Sequence, residues 1–336
     1  MADAKPKELP SQARTRAEIS AQALHRGTWI RIAGPLSAVG LGILAAALYL
    51  HPVGVLRWLQ TTKLGWSGVS SHEIALNDAV MTYFDTNGYV DQTPVLMIHG
   101  LGPSAALEWR DVMAPISEAH YKVIAPDLMG FGASDHKQTN YTIASQAAAL
   151  GQLIDALKLE HVNLVGRDIG ADVALYYAVD HPDKVERLML VSGGLIGARG
   201  AASLRQAYIP ITAAELRSQA EISFYGVPPL PDFIYQRMMQ DVAADLPAQS
   251  SMIGSIPKDE AHIRSKLGNI FNTLAVIVWG GNDKVLSPAY AEAIHDLLPG
   301  SATAIFKTSG HNPQLEHPDE FNDTVEFFLK QTEGGR

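Results

Sequence analysis

Apolar and polar positions divide the chain into three regimes. Residues 1–31 are polar and carry Lys5, Lys7, Arg14, Arg16, Arg26 and Arg31. Residues 32–50, IAGPLSAVGLGILAAALYL, hold no charged side chain. As a helix at ~1.5 Å per residue this run reaches about 29 Å, the depth of a hydrocarbon core. Trp29 and Tyr49 stand at its ends, where interfacial aromatics anchor. A transmembrane signal-anchor is the expectation. Two alternatives stand beside it: a signal peptide cleaved near Ala45-Ala46-Ala47, against which the long polar lead argues, and an in-plane or core-packed helix. Basic residues crowd the N-terminal side, and only Arg57 and Lys63 follow closely. That asymmetry puts the N-terminus in the cytoplasm and the main domain in the periplasm or another extracytoplasmic space. Residues 51–69 read as a linker, in which VGVLRWLQ (53–60) suits an amphipathic piece on the membrane surface.

From residue 70 short apolar runs alternate with helical stretches. The runs predict strands over 72–76, 80–84, 94–99, 121–126, 161–166, 185–192, 274–280 and 302–307. Helices are predicted over 142–157, 171–181, 288–298 and 318–331. Continuous β-branched strands separated by helices imply a mostly parallel sheet covered on both faces. The first two runs turn at Asn77-Asp78 and predict an antiparallel entry to it. Residues 195–270 break the alternation with Pro-punctuated helical sequence and read as an inserted cap. The core is then 70–194 together with 271–333.

Composition narrows the chemistry. A net charge of −9 without a basic stripe excludes nucleic acid as partner. The absence of cysteine rules out disulfides, thiolate metal sites and a cysteine nucleophile. No pair of histidines or carboxylates has metal-ligand spacing, so neither metal nor cofactor is expected. Gly130-Phe131-Gly132 lacks a dinucleotide fingerprint and reads as a tight loop.

The segment HVNLVGRDIGADVALYY (161–177) carries the strongest chemical signal. An apolar strand runs into Gly166-Arg167-Asp168-Ile169-Gly170, after which a helix opens. This is the nucleophile-elbow pattern G-x-Nuc-x-G in its strand–turn–helix context. The glycines are required because a side chain at 166 or 170 would strike the neighbouring strand or helix, and the nucleophile itself sits in strained backbone. Asp168 occupies the nucleophile position at a helix N-terminus, where the dipole favours an anion. A carboxylate needs no base to activate it; it attacks an sp³ carbon and forms an ester that water must cleave. The plainer reading of Asp168 is a helix N-cap. Arg167 is expected along the helix flank, toward solvent; the alternative is that it faces the site, where it would lower the pKa of Asp168 and hold it ionised.

The chain from 70 to 333 resembles the α/β-hydrolase superfamily, in particular its aspartate-nucleophile branch of epoxide hydrolases and haloalkane dehalogenases. His99-Gly100-Leu101-Gly102 matches the loop after the third strand, and VIAPDLMGFGAS (123–134) the fourth-strand signature with a structural Asp127. VIVWGGND (276–283) matches the strand leading to the triad acid, and KTSGHNPQLEHP (307–318) the G-H-x-x-x-x-E-x-P pattern around the histidine. The resemblance implies an eight-stranded α/β-hydrolase fold with a helical cap and a triad of Asp168, Asp283 and His311. It also implies an oxyanion hole from the backbone of Leu101 and Ile169. His99 then shapes the oxyanion loop, and His317 caps a helix or lies at the surface.

Within that branch an epoxide needs acidic hydrogens from the cap, and Tyr208, Tyr225 and Tyr235 are the candidates. A halide needs N–H donors, and this chain carries Ile169 after the nucleophile, where the branch often has Trp. The expected activity is therefore hydrolysis of a small apolar electrophile, an epoxide giving a diol, through an aspartyl ester. Haloalkane dehalogenation, ester or C–C hydrolysis, and a membrane-anchored binding protein without catalysis are the alternatives.

The apolar run makes the first testable statement. Full-length protein should stay with membranes through alkaline carbonate extraction, and a chain starting near residue 65 should be soluble and folded. Recovery of the full chain in the carbonate supernatant would remove the anchor.

Overall fold

The computed structural model describes residue 42 and residues 45–88, 92–137, 140–226 and 228–331. The expected span 32–50 and its polar lead lie outside the described residues, except Gly42 and residues 45–50, which are helical. Among the described residues no helix is long and apolar enough to cross a membrane. The chain divides into two units at residues 50 and 51, and the second holds everything below.

Eight strands form one sheet: β1 (Val69–Ala75), β2 (Val80–Thr86), β3 (Val95–Ile98), β4 (Val123–Pro126), β5 (Val162–Arg167), β6 (Val185–Val191), β7 (Leu274–Gly280) and β8 (Ala302–Phe306). Their order is β1-β2-β4-β3-β5-β6-β7-β8. β1 pairs antiparallel with β2, and β2 with β4; every other pairing is parallel. The turn at Asn77-Asp78 is closed by the Leu76 N–H donating to the Ala79 carbonyl at 2.8 Å.

Strand periodicity sorts the core into two layers. Leu96, Ile98, Leu164, Leu188, Leu190, Ile277 and Trp279 point to one face and pack under helices Ile143–Ala156 and Ile169–Asp180. Val95, Met97, Val165, Met189, Val191, Val276 and Val278 point to the other, against Trp109, Met113, Phe321 and Val325. Both faces are dry, which explains why these strands read as continuous apolar runs.

The cap is four helices, Gly197–Tyr208, Ala213–Ser223, Asp232–Val242 and Leu246–Lys266. Ile253, Ile256 and Ile263 of the last helix belong to the same apolar layer as the sheet, so the cap shares the core. Polar side chains pin it further. The Leu195 N–H donates to Asp172 at 2.8 Å, the Gly197 N–H to Glu260, and the Gln249 amide to the Leu101 carbonyl at 2.8 Å.

The stretch expected as a linker contains a helix, Pro52–Trp66. Val53, Arg57, Gln60 and Leu64 recur at helical spacing on its inner side; Val53 and Leu64 are buried. Arg57 donates to the carbonyls of Pro103 and Gly132, each at 3.3 Å. The outer side carries Leu56, Leu59, Trp58 (60% exposed) and Trp66 (87% exposed). A chain beginning at residue 65 would lose the inner seam, so the boundary of the folded unit belongs before His51.

Beneath this helix lies a cluster of buried carboxyls. Asp127 accepts from the N–H groups of Ala105 (2.7 Å) and Ala133 (2.9 Å), yet burial pushes its carboxyl up to about 6. Asp245, before the long cap helix, is pushed up to about 7, chiefly by burial; Arg57 opposes this and Asp127 adds to it. An acid raised in the folded state stabilises it below its ordinary pKa and loses that contribution as pH rises through the raised value. Stability should therefore fall between pH 4 and pH 7. Asp245→Asn removes most of that slope and should gain on wild type by on the order of 1–3 kcal/mol between pH 5 and pH 8. Urea midpoints measured across that range test it, and parallel profiles would refute it.

Candidate active site

β5 delivers Asp168 to the C-terminal edge of the sheet, with φ 54° and ψ −129°. This is left-handed backbone that a non-glycine residue adopts only under constraint. The constraint is visible on both sides. The Asp168 N–H is held by the Val191 carbonyl at 2.8 Å, and its own carbonyl accepts from Ala171 at 3.0 Å. A Cβ on Gly166 would lie 2.7 Å from the Ala171 Cα, and one on Gly170 2.6 Å from the Ile98 carbonyl oxygen. No side chain fits at either position, as the elbow pattern requires.

The Asp168 side chain makes no N-cap bond, so the capping alternative falls. Its carboxylate is fully buried and divided in its contacts. Oδ2 accepts from the Leu101 N–H at 3.2 Å, whereas Oδ1 has no partner. Ile169 opens the helix behind it, and its N–H is one of the first-turn donors that a helix leaves without an internal acceptor.

Two loops bring the other expected residues together. Asp283 lies past the end of β7, its Oδ1 accepting from Val285 and Leu286, each at 2.8 Å. Its Oδ2 lies 2.7 Å from His311 Nδ1. That contact assigns the proton to Nδ1 and leaves a lone pair on Nε2, which is buried and without a partner. Glu316 explains the acid in the histidine motif: it accepts from the N–H groups of Gly310, Asn312 and Tyr225 and so braces the His311 loop.

His99 is spent on the oxyanion loop, as expected. Nδ1 faces the Gly100 carbonyl at 2.7 Å and Nε2 accepts from the Leu128 N–H at 2.9 Å. Burial drives it down to about 4, so it is neutral and fixed. His317 lies at the start of the helix Pro318–Lys330 without capping it, its ring against Thr308.

Arg167 takes the alternative placement and faces the site. It does not run along the helix flank to solvent; it is 2% exposed and turned into the site. Nη1 donates to Glu108 at 3.3 Å, and Nη2 to Asn312 Oδ1 at 2.7 Å and to the Tyr208 hydroxyl at 3.0 Å. Nη1 stays 3.9 Å from Asp168 Oδ2. Burial opposes its charge, but Glu108, Tyr208 and Asp168 outweigh that and hold the guanidinium more firmly protonated than usual. Glu108 was not singled out in the sequence. It is buried, bonded also to Gln314, and its carboxyl is raised by burial, with Arg167 opposing the rise.

The three cap tyrosines separate. Tyr208 reaches the site, its ring centroid 6.3 Å from that of His311. Tyr235 is buried elsewhere, its hydroxyl accepting from the Leu230 N–H at 3.1 Å. Tyr225 is 49% exposed. Of the three candidates Tyr208 is the one brought to Arg167, whereas the Tyr235 hydroxyl is engaged with Leu230 and Tyr225 holds Glu316 through its N–H at 2.7 Å. A cavity of about 350 Å³ opens on Arg167, Tyr208 and Asn312, with apolar walls that include Leu56, Phe224 and Met238. A larger groove of about 670 Å³ lies by His161 and Arg187, at the opposite ends of the strands, and holds none of these groups. Among the described residues no cluster of His, Asp and Glu is arranged to hold a metal.

The family described as alpha/beta hydrolase fold matches residues 93–318. Uncharacterized proteins of Mycobacterium bovis and Mycobacterium tuberculosis are 31% identical over 265 residues, covering 71% of this chain and 76% of theirs. A 2-hydroxy-6-oxononadienedioate/2-hydroxy-6-oxononatrienedioate hydrolase of Escherichia coli is 27% identical, covering 74% of this chain and 90% of its own. Among solved structures, a membrane phospholipase A described as a bacterial virulence factor superposes with a TM-score of 0.71 at 24% identity, covering 89% of this chain and 97% of that one. A meta-cleavage product hydrolase from Pseudomonas fluorescens gives 0.61 at 23% identity, covering 77% and 97%. These two likenesses concern the fold alone. The matched family, the strand order and the elbow agree: this chain is a member of the α/β-hydrolase fold family and a hydrolase.

Proposed function

We propose that this hydrolase works through a covalent ester on Asp168 and opens an epoxide to a diol. The observation that carries the reading is the division of the Asp168 carboxylate. Oδ2 rests on the Leu101 N–H, while Oδ1 is buried and unpartnered. Oδ1 is thus the attacking oxygen, and Oδ2 becomes the carbonyl oxygen of the ester. Tyr208 gives its proton to the opening oxygen. Nε2 of His311, oriented by Asp283, then takes a proton from water, which attacks Cγ. The N–H groups of Leu101 and Ile169 stabilise the oxyanion that forms on Oδ2.

The apolar cavity suits a small apolar electrophile. Halide displacement is less well served. Among the described tryptophans, the Trp279 indole donates to the Leu286 carbonyl, Trp58 and Trp66 are exposed, and Trp109, whose buried indole N–H has no partner, does not line the cavity. A binding protein without catalysis has no use for a carboxylate held at a strained elbow together with an imidazole oriented by a second, buried carboxylate. Ester or C–C hydrolysis draws support from the Escherichia coli relative. In that reading His311 activates water directly against the substrate and Asp168 stays unmodified. The outward Leu56, Trp58, Leu59 and Trp66 favour a helix lying at a membrane surface, with residues 32–50 as its anchor and the domain on the extracytoplasmic side.

The two chemical readings part at His311. Because the carboxylate needs no base, His311→Gln should form the ester and fail to cleave it. Incubated with an epoxide that wild type turns over, the variant should show a one-to-one adduct by intact-protein mass spectrometry. Peptide mapping should place it between Gly166 and Gly170, and freshly prepared Asp168→Asn should form none. A substrate turned over by wild type that leaves His311→Gln unmodified would end the covalent mechanism and favour direct hydrolysis.

A further inference from the structure

Arg167 stands beside the nucleophile, buried, and the two-step scheme assigns it nothing. A free guanidinium next to an aspartate would ordinarily form a two-pronged pair with it and occupy both oxygens. Here the prongs are engaged elsewhere: Nη1 with Glu108, Nη2 with Asn312 and with Tyr208 Oη. We infer that Glu108, Arg167 and Tyr208 form a second relay, in which Arg167 is a positioning residue that aims and supports the Tyr208 hydroxyl as the proton donor to the leaving oxygen. It rests on the aspartyl-ester reading and deepens it: Asp283 and His311 serve the water, Glu108 and Arg167 the leaving group.

Hydrogen-bond valence carries the argument. Arginine has no acceptor, so in the contact at 3.0 Å the Tyr208 oxygen receives the bond. Its own hydrogen therefore cannot point at Arg167 and is left for another acceptor. Tyr208 and Arg167 both line the cavity. One guanidinium thus lies between the two groups, Nη1 3.9 Å from Asp168 Oδ2 and Nη2 3.0 Å from the Tyr208 oxygen.

Charge follows the same line. Burial raises the Tyr208 phenol well above its ordinary value, and the Arg167 cation is the main influence opposing that rise. Ring opening forms the Oδ1–carbon bond, breaks the carbon–oxygen bond, and moves the phenol proton to the departing oxygen. The phenolate then pairs with Arg167. After ester cleavage the carboxylic-acid proton left on Asp168 returns to Tyr208 through solvent, and the protonated His311 protonates the released alkoxide. Glu108 keeps the cation turned from Asp168 throughout, so that Oδ1 remains free.

A leaving group that needs no proton separates aim from architecture. In the His311→Gln background, adduct formation is followed by mass spectrometry with two probes of one skeleton, styrene oxide and 2-phenylethyl methanesulfonate. Arg167→Met, made with Glu108→Gln so that no buried charge is stranded, should slow alkylation by the epoxide about 10²-fold, the low end for losing a positioned general acid. Alkylation by the sulfonate, whose leaving group needs no proton, should be slowed about tenfold less, and its persistence reports that the variant is folded; slowing shared by both probes is the loss of the cation 3.9 Å from Asp168. Tyr208→Phe should show the same selectivity, and adding it to the Arg167 variant should cost little more. Arg167→Lys, which keeps charge but not the fork, should fall between. Equal slowing with both probes makes Arg167 merely structural and overturns the relay. Trapping of neither probe by His311→Gln alone defeats the aspartyl ester instead, whatever Arg167 does.

Discussion

A carboxylate with no solvent around it governs the architecture of this site. Asp168 is fully buried, with one N–H on one oxygen, a cation 3.9 Å away and a helix N-terminus behind it. Taking a carboxylate out of water is costly, so each of these contacts matters. They are also kept incomplete. A second donor on Oδ1, or a two-pronged arginine, would stabilise the fold and leave no oxygen of Asp168 open. The left-handed backbone at Asp168 costs on the order of 1–3 kcal/mol more, held by the Val191 and Ala171 contacts and by the bare glycines around it.

The loops around the carboxylate are stiffened by a recurring device: a buried polar side chain that satisfies the backbone of a neighbouring loop. His99 bonds to Gly100 and Leu128, Asp127 to Ala105 and Ala133, Gln249 to Leu101, and Glu316 to Gly310 and Asn312. Loop backbone at this depth has no water to bond to, and each unpaired group would cost about 1–3 kcal/mol. The same side chains fix where donors and bases point. Asp172 and Glu260 repeat the device at the cap entrance, holding Leu195 and Gly197; both carboxyls are raised by burial, so this hinge is tied by acids that keep their protons more readily than surface ones.

Much of this was legible in the sequence, for identifiable reasons. Strands buried on both faces leave uninterrupted apolar runs, and β7 falls on 274–280 as read. The elbow, the acid and the histidine were legible because each is attached to a strand end, where topology fixes position. The hydrogen bonds of the cap were not: which of three tyrosines enters the cavity depends on helix rotation that periodicity alone does not set. Arg167 is the instructive case. Alternation along β5 places residue 167 on the side of Val165, the face that Trp109 and its preceding helix Ala105–Glu108 cover. Extending the strand by one residue would have turned it inward. Its partners, 41 to 145 residues away, lie beyond any local pattern.

The helix Pro52–Trp66 shows how a segment outside the sheet and its loops becomes part of the site. Its inner seam is anchored by Val53 and Leu64, and by Arg57 reaching the carbonyls of Pro103 and Gly132. Pro103 lies two residues beyond Leu101, whose N–H holds Asp168. Leu56 belongs at once to the outward apolar side and to the cavity wall. An exposed helix gains nothing from two outward tryptophans in water; placed at a lipid interface, their burial is favourable by about 25 cal/mol per Å². The helix that carries the outward tryptophans is thus tied, through Arg57 and Pro103, to the loop whose N–H holds the buried carboxylate.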